Sequence, residues 1–87
     1  MVSKKVTLVN AQGFHMRPAD DFVNAVKKFP CKVTMMHNGK SVNLMNKMFI
    51  IASAIKCGQE VEIICDGPEE EAALAELTGM IENGFGE

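Results

Sequence analysis

The sequence predicts an α+β fold of element order βαββαβα, a single sheet covered on one side by helices. Three observations predict it. Short stretches around residues 4–10, 31–36 and 60–65 alternate apolar and polar residues, the period of half-buried strands. Stretches around 16–29, 44–55 and 70–81 carry apolar residues at helical spacing. Gly, Pro and Asn-Gly signals separate them. Since each element has one apolar face, a sheet with helices laid on it is the economical way to bury them all. At 87 residues the chain suits one domain, 1–87.

The first strand follows from Val6 and Leu8 alternating with Lys5 and Thr7. A turn at residues 11–13 leads to a helix that begins around Met16 and ends before Pro30, with Pro18 in the first turn, where a missing N–H does no harm. Its buried stripe is Ala19, Phe22, Val26 and Phe29. Cys31, Val33 and Met35 form the next strand, and Asn38-Gly39 accepts the positive φ angles of a tight hairpin whose return strand is 40–43. His37 beside that turn is expected to be exposed. The second helix, 44–55, is apolar almost all round, so part of its surface is expected to serve a partner. Met45 and Phe49 are assigned inward, Met48 and Ile51 to the interface. Gly58 ends it, and Val61, Ile63 and Cys65 share one side of the last strand. Asp66-Gly67-Pro68 and the acidic run Glu69 to Glu71 read as a helix start, with a capping position, a proline and carboxylates near the positive dipole end. Leu74, Leu77 and Ile81 face inward and Asn83-Gly84 supplies the stop.

Composition narrows the function. Apolar residues make up 47% of the chain, yet no apolar run is long enough to cross a bilayer. The basic start, Lys4 and Lys5, is followed by alternation and not by the apolar stretch of an export signal. Cys31, Cys57 and Cys65 are odd in number and widely spaced, so packed, reduced thiols and a cytoplasmic location are expected, with neither disulfide framework nor zinc site. No cofactor and no metal are expected. A net charge of -2, with five Phe and neither Trp nor Tyr, gives no footprint for nucleic acid.

The segment Gly13-Phe14-His15-Met16-Arg17-Pro18-Ala19 puts a histidine at a loop-to-helix junction with an arginine two residues on. Imidazole is nucleophilic near neutral pH without a strong base. The unpaired N–H groups of the helix start, those of Met16 and Arg17, point at any anion carried by His15. The Arg17 guanidinium adds fixed charge and several donors for phosphoryl oxygens. Gly13 lets the chain turn tightly and approach the phosphate.

This segment closely resembles the Gly-Leu-His-Ala-Arg-Pro-Ala signature of the HPr family, the histidine-containing phosphocarriers of the bacterial sugar phosphotransferase system. Lys40-Ser41-Val42-Asn43, Gly58, residues 60–67 and the acidic third helix fit the family in order and spacing, so the resemblance covers nearly the whole chain. It implies an open-faced β-sandwich, a four-stranded antiparallel sheet with three helices on one face. It implies that His15 is phosphorylated on Nδ1 by phosphorylated enzyme I and passes the group to enzyme IIA proteins or domains, with Arg17 as electrostatic partner. Family docking positions fall on Met16, Asp20, Asn24, Lys27, Lys47, Met48 and Ile51. The expected protein is a monomer and a stoichiometric carrier, not an independent enzyme.

Three departures stand out. The family's regulatory serine corresponds here to Asn46, which can cap a helix but offers no hydroxyl to phosphorylate. Asp20 and Asp21 put carboxylates on a helix whose docking side is usually small or basic, which lowers complementarity to an acidic partner. Gln12 stands where a smaller polar residue is usual. A second reading is an HPr-like regulatory module whose binding to other proteins is controlled by phosphorylation of His15. An independent hydrolase or metalloenzyme lacks a second acid–base group and a ligand cluster.

Overall fold

The computed structural model describes residues 1–11 and 13–86, so the expectation for Gln12 lies outside the described residues. Its elements are β1 (Val2–Thr7), α1 (Met16–Lys27), β2 (Lys32–His37), β3 (Lys40–Val42), α2 (Lys47–Ala52), β4 (Glu60–Asp66) and α3 (Glu70–Glu82), followed by a 3-10 turn, Gly84–Gly86. The four strands form one antiparallel sheet in the order β1-β4-β2-β3, with three helices on one face.

Registry explains which side is covered. Val6 pairs with Val61, Met35 with Ile63 and Val42, and Val33 with Cys65. Alternation then puts these side chains on the face that receives the helices, while Thr34, Met36 and Glu62 point the other way. Phe22 of α1, Ile50 of α2, and Leu77 and Ile81 of α3 close the core and are fully buried. Burying a side chain the size of Phe22 contributes roughly 2–3 kcal/mol.

Several expectations change. α2 is only six residues long, because the chain before it is held in a turn: Asn43 Oδ1 accepts from Met45 N–H, and Asn46 Oδ1 accepts from Met48 N–H, both at 2.8 Å. Met45 therefore lies outside the helix at 75% exposure, and Phe49 is 52% exposed, so neither faces inward. Pro18, Val23 and Ala25 join Ala19 and Phe22 as the buried side chains of α1, while Val26 and, just past the helix, Phe29 are half-buried. α3 begins after Pro68, not on it. Glu69 is its N-cap, in the left-handed region and without a side-chain capping bond, and Glu70 Oε1 accepts from Gly67 N–H at 3.1 Å, which closes the turn before the helix. Glu70 and Glu71 do occupy the first turn. Cys31 and Cys65 are buried and Cys57 is exposed, all three as free thiols.

His37 is buried. The alternation that carries Val33 and Met35 inward continues to His37, the last residue of β2.

Candidate functional site

His15 is the N-cap residue of α1. Its backbone is extended (φ −106°, ψ −167°), so the chain leaves the loop there and enters the helix at Met16. The side chain makes no capping hydrogen bond and is half-buried. The His15 carbonyl accepts from Ala19 N–H at 3.0 Å, and Pro18 has no N–H. The amides of Met16 and Arg17 are therefore the donors of the first turn that the helix leaves over. Arg17 is exposed, and among the described residues no carboxylate lies within ion-pair distance of it. The imidazole and two spare amides thus stand at the positive end of a helix dipole, with Arg17 two residues on, and such a helix start favours an anion.

The loop before His15 is pinned from several directions. Gly13 N–H donates to Asn10 O at 3.0 Å, and Asn10 Nδ2 donates back to Gly13 O. Phe14 N–H donates to Ile55 O at 3.0 Å, and the Phe14 ring packs against Phe22 and Phe85 at centroid distances of 5.5 and 5.0 Å. Gly13 has φ +63°, and a Cβ there would meet Ile55 O and stand 2.7 Å from Lys56 Cα. One close approach that requires glycine here is to the 55–56 backbone.

The docking positions are brought together in part. Asp20, Asn24 and Lys27 follow one another along α1 and, with Val23, line a groove whose other wall is Met45, Asn46 and Lys47. Lys47 Nζ lies 3.6 Å from Asp20 Oδ1 across it. Met16 and Met48 are exposed and Ile51 is half-buried, and none of the three lines that groove. Met45 and Phe49 were missed as exposed apolar residues of this region. The signal was Asn46, which marks where α2 begins and so resets its helical phase.

Among the described residues there is no cluster of three or more His, Cys, Asp or Glu that could hold a metal ion. Among the described residues no helix is long and apolar enough to cross a membrane. Burial pushes the Cys65 thiol up to about 11, with neighbouring Cys31 adding to the shift, which marks a packed and unreactive thiol.

The chain is similar over its full length to the phosphocarrier protein HPr of Treponema pallidum, with 37% identity over 87 residues, covering 100% of this chain and 99% of that protein. It is also similar to the multiphosphoryl transfer protein of Haemophilus influenzae, 33% identical over 84 residues that are 93% of this chain and 17% of that protein. The crystal structure of HPr from Thermoanaerobacter tengcongensis superposes with a TM-score of 0.93 at 32% identity, covering 100% of this chain and 98% of that one. The family described as the PTS HPr component phosphorylation site matches residues 2–83. With sequence, fold and family profile agreeing from end to end, the chain belongs to the HPr family of phosphocarrier proteins of the phosphotransferase system.

Proposed function

We propose that the protein is a stoichiometric phosphoryl carrier whose acceptor is His15, loaded by phosphorylated enzyme I and unloaded by enzyme IIA proteins or domains. It acts in the cytoplasm, as a monomer of one domain, without metal or cofactor, and catalyses nothing alone. On loading, the imidazole nitrogen donates its electron pair to phosphorus and the bond from phosphorus to the donor atom breaks with its pair leaving on the donor; on unloading, an electron pair of the acceptor attacks phosphorus and the P–N bond breaks with its pair returning to the imidazole. Arg17 and the amides of Met16 and Arg17 neutralise the phosphoryl oxygens meanwhile.

The observation that carries this reading is the half-buried His15 ring at the start of α1, two residues before an exposed Arg17. Docking falls to Met16, Asp20, Asn24, Lys27, Lys47, Met48 and Ile51, extended by the exposed Met45 and Phe49. Adaptable methionine side chains suit a surface that must meet several partners in turn.

The test is incubation with phosphoenolpyruvate and enzyme I, read by intact mass. A mass gain of one phosphoryl group, labile to acid and lost in His15→Ala, is expected; no gain, or a gain that survives the substitution, rejects the proposal. Partners that bind equally with and without the label, and to which no phosphoryl group passes, would indicate the regulatory binding module instead.

A further inference from the structure

Away from the helix start, a buried histidine bonded to a half-buried glutamine bears on the loop that presents His15. We infer that His37 and Gln59 are positioning residues for His15, holding the 55–59 turn against the 13–14 loop; the inference rests on His15 being the phosphoryl acceptor.

His37 is only 8% exposed, at the inner end of β2, and its Nε2 lies 3.1 Å from Gln59 Oε1. A polar side chain buried this far stays only if it is bonded. The same Gln59 oxygen accepts from Lys56 N–H at 3.0 Å. A backbone N–H can only donate, so the amide is oriented with its oxygen at this point. His37 must then present Nε2–H to that oxygen.

Gln59 thus ties β2 to a turn that its own N–H closes, donating to Lys56 O at 3.1 Å. The turn is also joined to the end of the first strand, Leu8 N–H donating to Gln59 O at 2.9 Å. Its other end is the Ile55 carbonyl that receives Phe14 N–H, and the Lys56 backbone against which Gly13 is pressed. The path therefore runs from His37 through Gln59 and Lys56 to Phe14, the residue joined to His15. In this reading both act by fixing where the imidazole stands.

Three variants test this: His37→Phe, which keeps ring bulk without the donor; Gln59→Leu, which removes the acceptor; and Gln59→Glu, which retains an acceptor oxygen. Amide hydrogen exchange is followed at Phe14 and, for reference, at Val6 and Ile63 in the sheet. The lifetime of phosphohistidine formed on His15 with phosphoramidate gives a second readout. In the first two variants Phe14 exchange is expected to accelerate about fivefold to tenfold relative to the sheet amides, the equivalent of one hydrogen bond. The phosphohistidine lifetime is expected to shift by about twofold or more, and Gln59→Glu to restore both readouts. Unchanged Phe14 exchange and lifetime in both variants overturns the inference, as does equal acceleration at Phe14 and the sheet, which would mean a merely structural pair. The two failures separate: a parent protein that takes no label at His15 defeats the carrier reading, whereas a labelled parent with unaltered variants defeats only the positioning.

Discussion

Lys47 Nζ stands 3.6 Å from Asp20 Oδ1, so a carboxylate on α1 that departs from the family pattern is answered by a cation from α2. Asp21 lies apart from it, lining a cleft with Met80, Asn83 and Phe85. The two acidic residues that looked equivalent in sequence have different surroundings, and Asp20 is the one at the groove.

That pair is half-exposed, so its contribution to stability is small. A double-mutant cycle of Asp20→Ala and Lys47→Ala, measured by urea unfolding, should give a coupling below about 1 kcal/mol that shrinks with salt. Its effect on docking should be larger: Asp20→Asn frees the Lys47 charge and should speed association with an acidic partner, as stopped-flow mixing would show.

Gly13→Ala should be among the most damaging single changes in the molecule. The new Cβ would press on the Ile55 carbonyl and stand 2.7 Å from Lys56 Cα at a φ of +63°, where neither neighbour is a flexible side-chain end. A loss of about 2–4 kcal/mol is expected in urea unfolding, together with slower phosphorylation of His15.

Asn46→Ala removes the oxygen that receives Met48 N–H and should cost about 1 kcal/mol, with fraying confined to α2 by hydrogen exchange. Asn46→Ser keeps a capping oxygen and should be nearly neutral. A cost for serine as large as that for alanine would contradict the capping role.

The cysteines should react in two classes. Cys57 is exposed and should take up one equivalent of a thiol reagent at once, while Cys31 and Cys65 wait for unfolding. The Cys65 thiol is raised from the usual 9.0 to about 11 by burial first and Cys31 second. Between those values the unfolded chain loses its thiol proton and the folded one keeps it. Stability is therefore fully present below the unfolded value and falls as pH rises through this window, by on the order of 2 kcal/mol. Unfolding midpoints of Cys65→Ala that decline just as steeply from pH 9 to 11 would refute the assignment.

The order of elements was legible because β1, β2, β4 and the two long helices repeat their periods long enough to be read, while the short β3 followed from the Asn38-Gly39 turn. Val6, Met35, Val61, Ile63 and Cys65 all lie where alternation puts them. The His15 segment was legible as a motif, and its place as N-cap followed from Pro18 two residues into the helix. What failed was local. The second helix was read from Leu44 because its apolar residues run on without a break, whereas Asn43 and Asn46 each hold a backbone N–H and delay the helix to Lys47; Met45 and Phe49 then turn outward. His37 was misread because a turn beside it outweighed the strand period that carries it inward. The 55–59 turn, on which Gly13 rests, left no pattern in the sequence, since contacts between distant loops depend on the fold and not on neighbours.

Phe85 closes a ring trio with Phe14 and Phe22, so the 84–86 turn and the segment preceding His15 pack as one unit. A probe attached next to Phe85 would pull on that stack and, through Phe14, on the backbone that leads to His15. An internal attachment at the Asn38-Gly39 hairpin tip, where both residues are exposed, would leave that stack undisturbed.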